Sequence, residues 1–154
     1  MPKIDLSTVE VCSGSGYPPP FDEPCLSETS ERLSDVGGLS HFGVHRLVLT
    51  PGAWSSQRHW HTHEDELIYI LQGSPVLIDD NGETQLEPGD ITTHVAGEPN
   101  GHHMINRTEE NVIYLAIGSR NPTIDTVHYP DVDLQLPSNG TASRQFTDKQ
   151  SEPL

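Results

Sequence analysis

Three histidines and a glutamate near the middle of the chain, His59, His61, Glu66 and His102, have the types and spacing of a metal site. The segment Gln57-Arg58-His59-Trp60-His61-Thr62-His63 follows a Pro51-Gly52 turn and reads as a strand, in which alternate side chains share one face. His59 and His61 then point the same way, and two imidazoles so placed converge on one ion without distorting the backbone. Glu66 lies an odd number of residues beyond His61, so the polar stretch Thr62 to Asp65 must bend to turn it inward. The strand it opens puts Ile68 and Ile70 on the same face, which leaves a carboxylate in an apolar interior in need of a counter-charge. Further on, alternation over His102-His103-Met104-Ile105-Asn106 turns His102, Met104 and Asn106 inward and His103 away. Three neutral imidazoles and one carboxylate suit a single divalent transition ion, Fe, Mn, Ni, Zn or Co, with positions left open for water or substrate.

Other groups are weaker candidates. Tyr69 and Tyr114 lie in predicted strands, and a tyrosine beside a cation can act as a base, although most strand tyrosines are packing residues. His63 has the parity of the two ligands and is a third catalytic candidate. Glu64 and Asp65 read as solvated turn residues, His94 as a group at a loop entrance, and Trp54 and Trp60 as packing, with Trp60 directed out of the pocket. The alternative to a metal centre at the four main positions is a hydrogen-bonded polar cluster.

The elements that must position these residues are short strands. Phe42 to Thr50, Leu67 to Leu71, Pro75 to Ile78 and Val112 to Ile117 are rich in Val, Ile, Leu and Tyr, and turn residues separate them at the spacing of an all-β sandwich or barrel. Asp80-Asn81-Gly82, between Val76-Leu77-Ile78 and Glu83-Thr84-Gln85-Leu86, predicts a hairpin. Residues 1–37, with Pro18, Pro19, Pro20 and Pro24, predict an extended N-terminal arm, in which Ser27 to Leu33 is long enough for one helical turn only. Residues 38–137 hold the barrel, and residues 138–154 form a polar tail with little apolar material to order it.

With 154 residues the chain fits one core. Eight Lys and Arg against 23 Asp and Glu give a net charge of -15, which disfavours nucleic acid and anionic membrane surfaces as partners. The first residues lack the pattern of a secretory signal and no apolar run reaches membrane length, which predicts a cytoplasmic protein with Cys12 and Cys25 as free thiols. Arg58 is expected to face outward, and Arg46, Arg107 and Arg120 look scattered, a poor arrangement for a phosphorylated sugar.

Both signature motifs of the cupin superfamily can be laid on these residues. The first, glycine, H-x-H, glutamate, glycine, is matched by Gly52, His59-Trp60-His61, Glu66 and Gly73, with one extra residue before His59. Taking His63 as a ligand in place of His59 leaves fewer residues before Glu66 than that motif has. The second begins at Gly89 and ends with His102 and Asn106; Val95 stands where proline is usual, and the loop from Gly97 to His102 is longer than usual. Ser15-Gly16-Tyr17-Pro18, Glu64-Asp65-Glu66, Gly118-Ser119-Arg120 and Tyr129-Pro130-Asp131 resemble a bacterial single-domain, cupin 2-like subgroup of mostly unestablished function.

The resemblance implies a double-stranded β-helix, or jelly-roll barrel, with the metal inside one end, and a homodimer to which the arm contributes. It also implies a metal-dependent protein acting on a small molecule by lyase, isomerase or dioxygenase chemistry, between which fold alone does not choose. The alternative is a non-catalytic metal-binding or sensing module.

Overall fold

Apolar alternation builds the main wall of the molecule. The computed structural model describes residues 3–154. Its strands, in chain order, are β1 (Val11–Ser13), β2 (Thr29–Arg32), β3 (Phe42–Leu49), β4 (Trp60–His61), β5 (Glu66–Gln72), β6 (Val76–Asp79), β7 (Gly82–Gln85), β8 (Ile91–His94), β9 (His103–Ile105), β10 (Val112–Ser119), β11 (Val127–Tyr129) and β12 (Leu134–Leu136). A short α-helix, α1 (Leu33–Val36), follows β2, and the arm has 3-10 turns at Leu6–Thr8 and Glu23–Cys25. A six-stranded sheet runs β1-β2-β3-β10-β5-β8, and two smaller sheets run β7-β6-β9 and β12-β11-β4. The pairs Trp54 with Ile105 and His59 with His102 join the strand leading into β4 to β9, so the two smaller sheets act as one opposing wall.

The interior lies between these walls. In β5, Ile68 and Ile70 are buried, and they meet Tyr114 of β10, Leu47 and Leu49 of β3, Leu77 of β6 and Met104 of β9 in one core cluster. Each fully buried aliphatic side chain here contributes about 1.5–3 kcal/mol relative to exposure. The hairpin expected at Asp80-Asn81-Gly82 forms between β6 and β7, closing on the pair Asp79–Gly82 with Gly82 at φ 119°. Gly73, which ends the first motif, sits at φ 79°, where an added Cβ would lie 2.8 Å from the Asn111 carbonyl oxygen. Asn106, which ends the second, is fully buried and donates through Nδ2 to the carbonyls of Leu49 at 2.9 Å and Glu110 at 2.8 Å. Its Oδ1 accepts from the backbone N–H and the hydroxyl of Thr108, so this side chain holds the turn into β10 closed.

Two segments are more ordered than their composition predicts. Thr29 to Arg32 forms strand β2 rather than a helical turn, because β3 presents an open edge whose backbone groups β2 satisfies, and β1 then pairs with β2. The polar tail docks through one aromatic: Phe146 packs with Tyr17 and Tyr129, and Thr147 exchanges backbone hydrogen bonds with Gln135 beside it. Arm and tail therefore meet on β11. Among the described residues no helix is long and apolar enough to cross a membrane, and Cys12 and Cys25 are free thiols.

Candidate metal centre

The bend that the sequence requires between His61 and Glu66 is real, and an aspartate from a distant loop holds it. Asp125, fully buried, accepts from the backbone N–H of His63 at 2.9 Å, while Thr62 Oγ1 accepts from the Thr126 N–H at 2.8 Å. The chain then enters β5 with Glu66 on the same face as buried Ile68 and Ile70. His59 and His102 sit opposite each other as a backbone pair joined by two hydrogen bonds, 3.1 and 2.9 Å long.

Side-chain bonds fix which nitrogens face the centre. His59 Nδ1 donates to the Gln57 carbonyl at 2.9 Å, which leaves Nε2 as the bare lone pair. His61 Nδ1 lies 2.8 Å from Asp125 Oδ2, which leaves its Nε2 free in the same way. His102 Nε2 is 2.7 Å from Glu66 Oε2, and its buried Nδ1 has no partner. Ligand atoms of His59, Glu66 and His102 lie within 4.8 Å of one another. His61 groups instead with Glu64 and Asp125 at the same tightness, its ring centroid 5.1 Å from that of His59. The four predicted ligands thus form a trio with His61 alongside.

Charge is held where an ion would want it. Burial pushes the His59 imidazole down to about 3, helped by the neighbouring His102 and His61, so it stays neutral and able to ligate. Burial opposes the charge on Glu66, but the His102 hydrogen bond and the surrounding imidazoles hold its carboxyl well below the usual range. Asp125 is likewise buried and likewise held low, by its bonds from His61, the His63 N–H and Arg144. Histidine ligands of metal ions commonly donate their second nitrogen to a carboxylate or a carbonyl, which is the arrangement at His61 and His59. This donor set fits a divalent transition ion.

A cavity of about 140 Å³, room for roughly five waters, opens on Glu66, His61 and His102 and is lined further by Trp60, Glu64, Asp79, His94, Glu98 and Asn100. No lysine or arginine lines it. His94 stacks on His102 with planes 5° apart. Trp60 was expected to point away; it lines this cavity and stacks on His128 at 4.4 Å, because β4 is two residues long and strand alternation does not persist through it. Tyr69, Tyr114 and His63 are not brought to the cavity. Tyr69 is on the opposite face of β5 from Glu66, Tyr114 is buried in the core, and His63 is exposed with its ring on Thr62. His103 is buried edge-on against Trp54 with Nδ1 3.0 Å from the Ser56 carbonyl, a structural role. Asp125 and Arg144 were not legible: an acid in a polar turn carries no local signal that a histidine 64 residues away needs it.

The strand order, the barrel and this centre define a class. A family model described as "Cupin domain" matches residues 45–118. Over 99% of its length the chain superposes on 96% of a sugar phosphate isomerase from a cupin superfamily of Silicibacter pomeroyi, with 42% identity and a TM-score of 0.92. The chain belongs to the cupin superfamily, and its fold is the double-stranded β-helix. It is also similar to a candidate sugar phosphate isomerase of Acidithiobacillus ferrooxidans, at 28% identity and a TM-score of 0.74 over 83% of this chain and 80% of that one. The polyketide cyclase RemF of Streptomyces resistomycificus shares the fold at 20% identity, with a TM-score of 0.61 over 77% of this chain and 79% of that one. No curated protein matches the chain.

Proposed function

We propose that the protein is a metal-dependent isomerase of a small polar molecule, with one divalent transition ion held by His59, His61, Glu66 and His102. The observation that carries this reading is the pair of Nε2 atoms on His59 and His61, freed for ligation by the bonds at Nδ1, beside the Glu66–His102 pair. When bound, the ion supplies Lewis-acid polarisation of a substrate oxygen.

The chain's own groups supply the rest. Glu64, half-buried and oriented by the Asn121 N–H at 2.7 Å, lines the cavity as the group that takes a proton from the substrate and returns it. Trp60 and His94 wall the cavity and limit water to a small volume. Isomerisation is preferred to lyase or dioxygenase chemistry because the Silicibacter relative, 42% identical, is described as an isomerase and the cavity holds carboxylates suited to moving a proton between carbons. The same reading takes the protein as a cytoplasmic homodimer; Phe42 and Ile91 on the six-stranded sheet and Val95 just past its edge strand, 42%, 59% and 59% exposed, offer an apolar face for the second copy. Sedimentation at the mass of a single chain would remove the dimer.

Elemental analysis of protein purified without added metal tests the centre. Near-stoichiometric Fe, Mn, Co, Ni or Zn is expected, and a His59→Ala/His102→Ala variant should lose it. If neither purified nor reconstituted protein holds metal, the enzyme reading falls and a metal-free binding module replaces it.

A further inference from the structure

The inner face of the six-stranded sheet is bare beside Glu66. Register across the strands places Gly43 of β3, Gly118 of β10, Glu66 of β5 and His94 of β8 in one row. The next row on the same face reads Arg32, His45, Ala116, Ile68 and Thr92. Two glycines and an alanine therefore stand where larger side chains would fill the barrel, and they leave a trench about 220 Å³ in volume, bordered by Glu66 and Glu64 at one end and by His45 and Arg120 at the other. The far end is two strands from Glu66, about 10 Å at the usual strand spacing.

That far end carries the positive charge the other cavity lacks. A Cβ built on Gly43 would lie 3.4 Å from Arg120 Nε and 3.7 Å from His45 Nε2, so both groups converge on the space its missing side chain leaves. Arg120 is anchored by its other nitrogens to the Leu39 carbonyl, Ser34 Oγ and Asp35, which holds the guanidinium in place while Nε is not used in these bonds. Arg32 stands across from His45 in the same row and, with His45, lines the groove next to the trench rather than the trench itself. Arg46, Arg58, Arg107, Arg120 and Arg144 each pair with a carboxylate, whereas Arg32 pairs with none among the described residues. In a chain with 23 acids against eight Lys and Arg, an arginine with no carboxylate at ion-pair distance, near a second arginine that shares Asp35 and near a histidine, is a place prepared for an anion.

We propose that Arg32, His45 and Arg120 form a subsite for the oxyanion end, phosphate ester or carboxylate, of an elongated substrate whose reacting end lies at Glu66. The subsite rests on the proposed function for what happens at Glu66; Arg46 and Arg107 are held elsewhere by Glu31 and Glu83, while Arg32 and Arg120, 88 residues apart in the sequence, both lie near His45. Gly43 is the residue that gives the anion its room.

Isothermal titration of the purified protein with inorganic phosphate, and separately with acetate, tests it. Saturable binding of at least one of them is expected, and which one binds identifies the oxyanion. Arg32→Gln, at an exposed position whose side chain makes no hydrogen bond or ion pair among the described residues, should weaken that binding at least tenfold. Gly43→Val, which fills the trench against Arg120 Nε and His45 Nε2 and leaves the charges in place, should do the same. Metal content measured on the same samples should match the parent, so loss of the metal reading and loss of the subsite register separately. Binding of neither anion, or binding that both variants leave intact, would overturn the proposal.

Discussion

Asp125 is the residue on which the geometry of His61 turns. Its carboxylate receives the His61 Nδ1–H, a backbone N–H and Arg144, so it fixes both the ring and the bend behind it. Asp125→Asn keeps the shape but removes the charge that supports the ligand, and metal affinity should fall by about 10–100-fold, read by competition with a chelator, while thermal unfolding stays cooperative. Unchanged affinity would mean that His61 is not a ligand. The contrast with the ligands explains what could be read from the sequence. His59, His61, Glu66 and His102, the proposed ligands, stand out by residue type and motif spacing, although alternation alone does not set their direction: Glu66 needs the bend after His61, and Trp60 lines the cavity beside His61. Asp125 acts through a contact that only the closed barrel creates.

At the scale of elements, the second motif's asparagine does structural work that its neighbours in the motif do not. Asn106 ties β9 to the turn before β10 with four side-chain hydrogen bonds in a fully buried position. Asn106→Ala should cost about 2–4 kcal/mol, since the buried Leu49 carbonyl and the partly buried Glu110 carbonyl lose their donor, measured by urea unfolding. Gly73→Ala should also destabilise, by about 1–3 kcal/mol, because the positive φ and the Asn111 carbonyl both oppose a side chain. The strands that hold these residues were readable where apolar residues alternate or run together, as in β3, β5, β6 and β10. β2 was not, since Thr29-Ser30-Glu31-Arg32 has no strand pattern of its own and becomes a strand only because β3 has an edge to cover. Docking of the tail was hidden for a similar reason: one Phe in a polar run looks isolated until Tyr17 and Tyr129 are placed next to it.

For the whole molecule, a buried acid gives stability a pH dependence. Glu28, 7% exposed and with Oε2 unpartnered, has its carboxyl pushed by burial from the ordinary 4.5 up to about 8. Between these values the folded chain keeps a proton that the unfolded chain has released. Its contribution to stability is therefore full below the lower value and is lost as pH rises, at up to about 1.4 kcal/mol per pH unit, levelling off above the higher value. Glu28→Gln removes this slope, so denaturant midpoints of parent and variant should diverge between about pH 5 and pH 8, with the parent falling faster. Parallel profiles would show that Glu28 is ionised in the folded chain. Comparing variant with parent cancels the opposite slope of the buried histidines, whose depressed values act at lower pH.

Glu66 borders both the acidic cavity and the glycine-lined trench. The centre consequently has two doors, with Glu64 and Glu66 on both, one flanked further by Asp79 and Glu98 and the other by His45 and Arg120. The outer ends of the two doors differ in charge, carboxylates at one and a guanidinium at the other, and steer visitors differently. On the proposed reading, a molecule seated in one door leaves the other open, so an inhibitor that plugs one would change turnover without competing for the other.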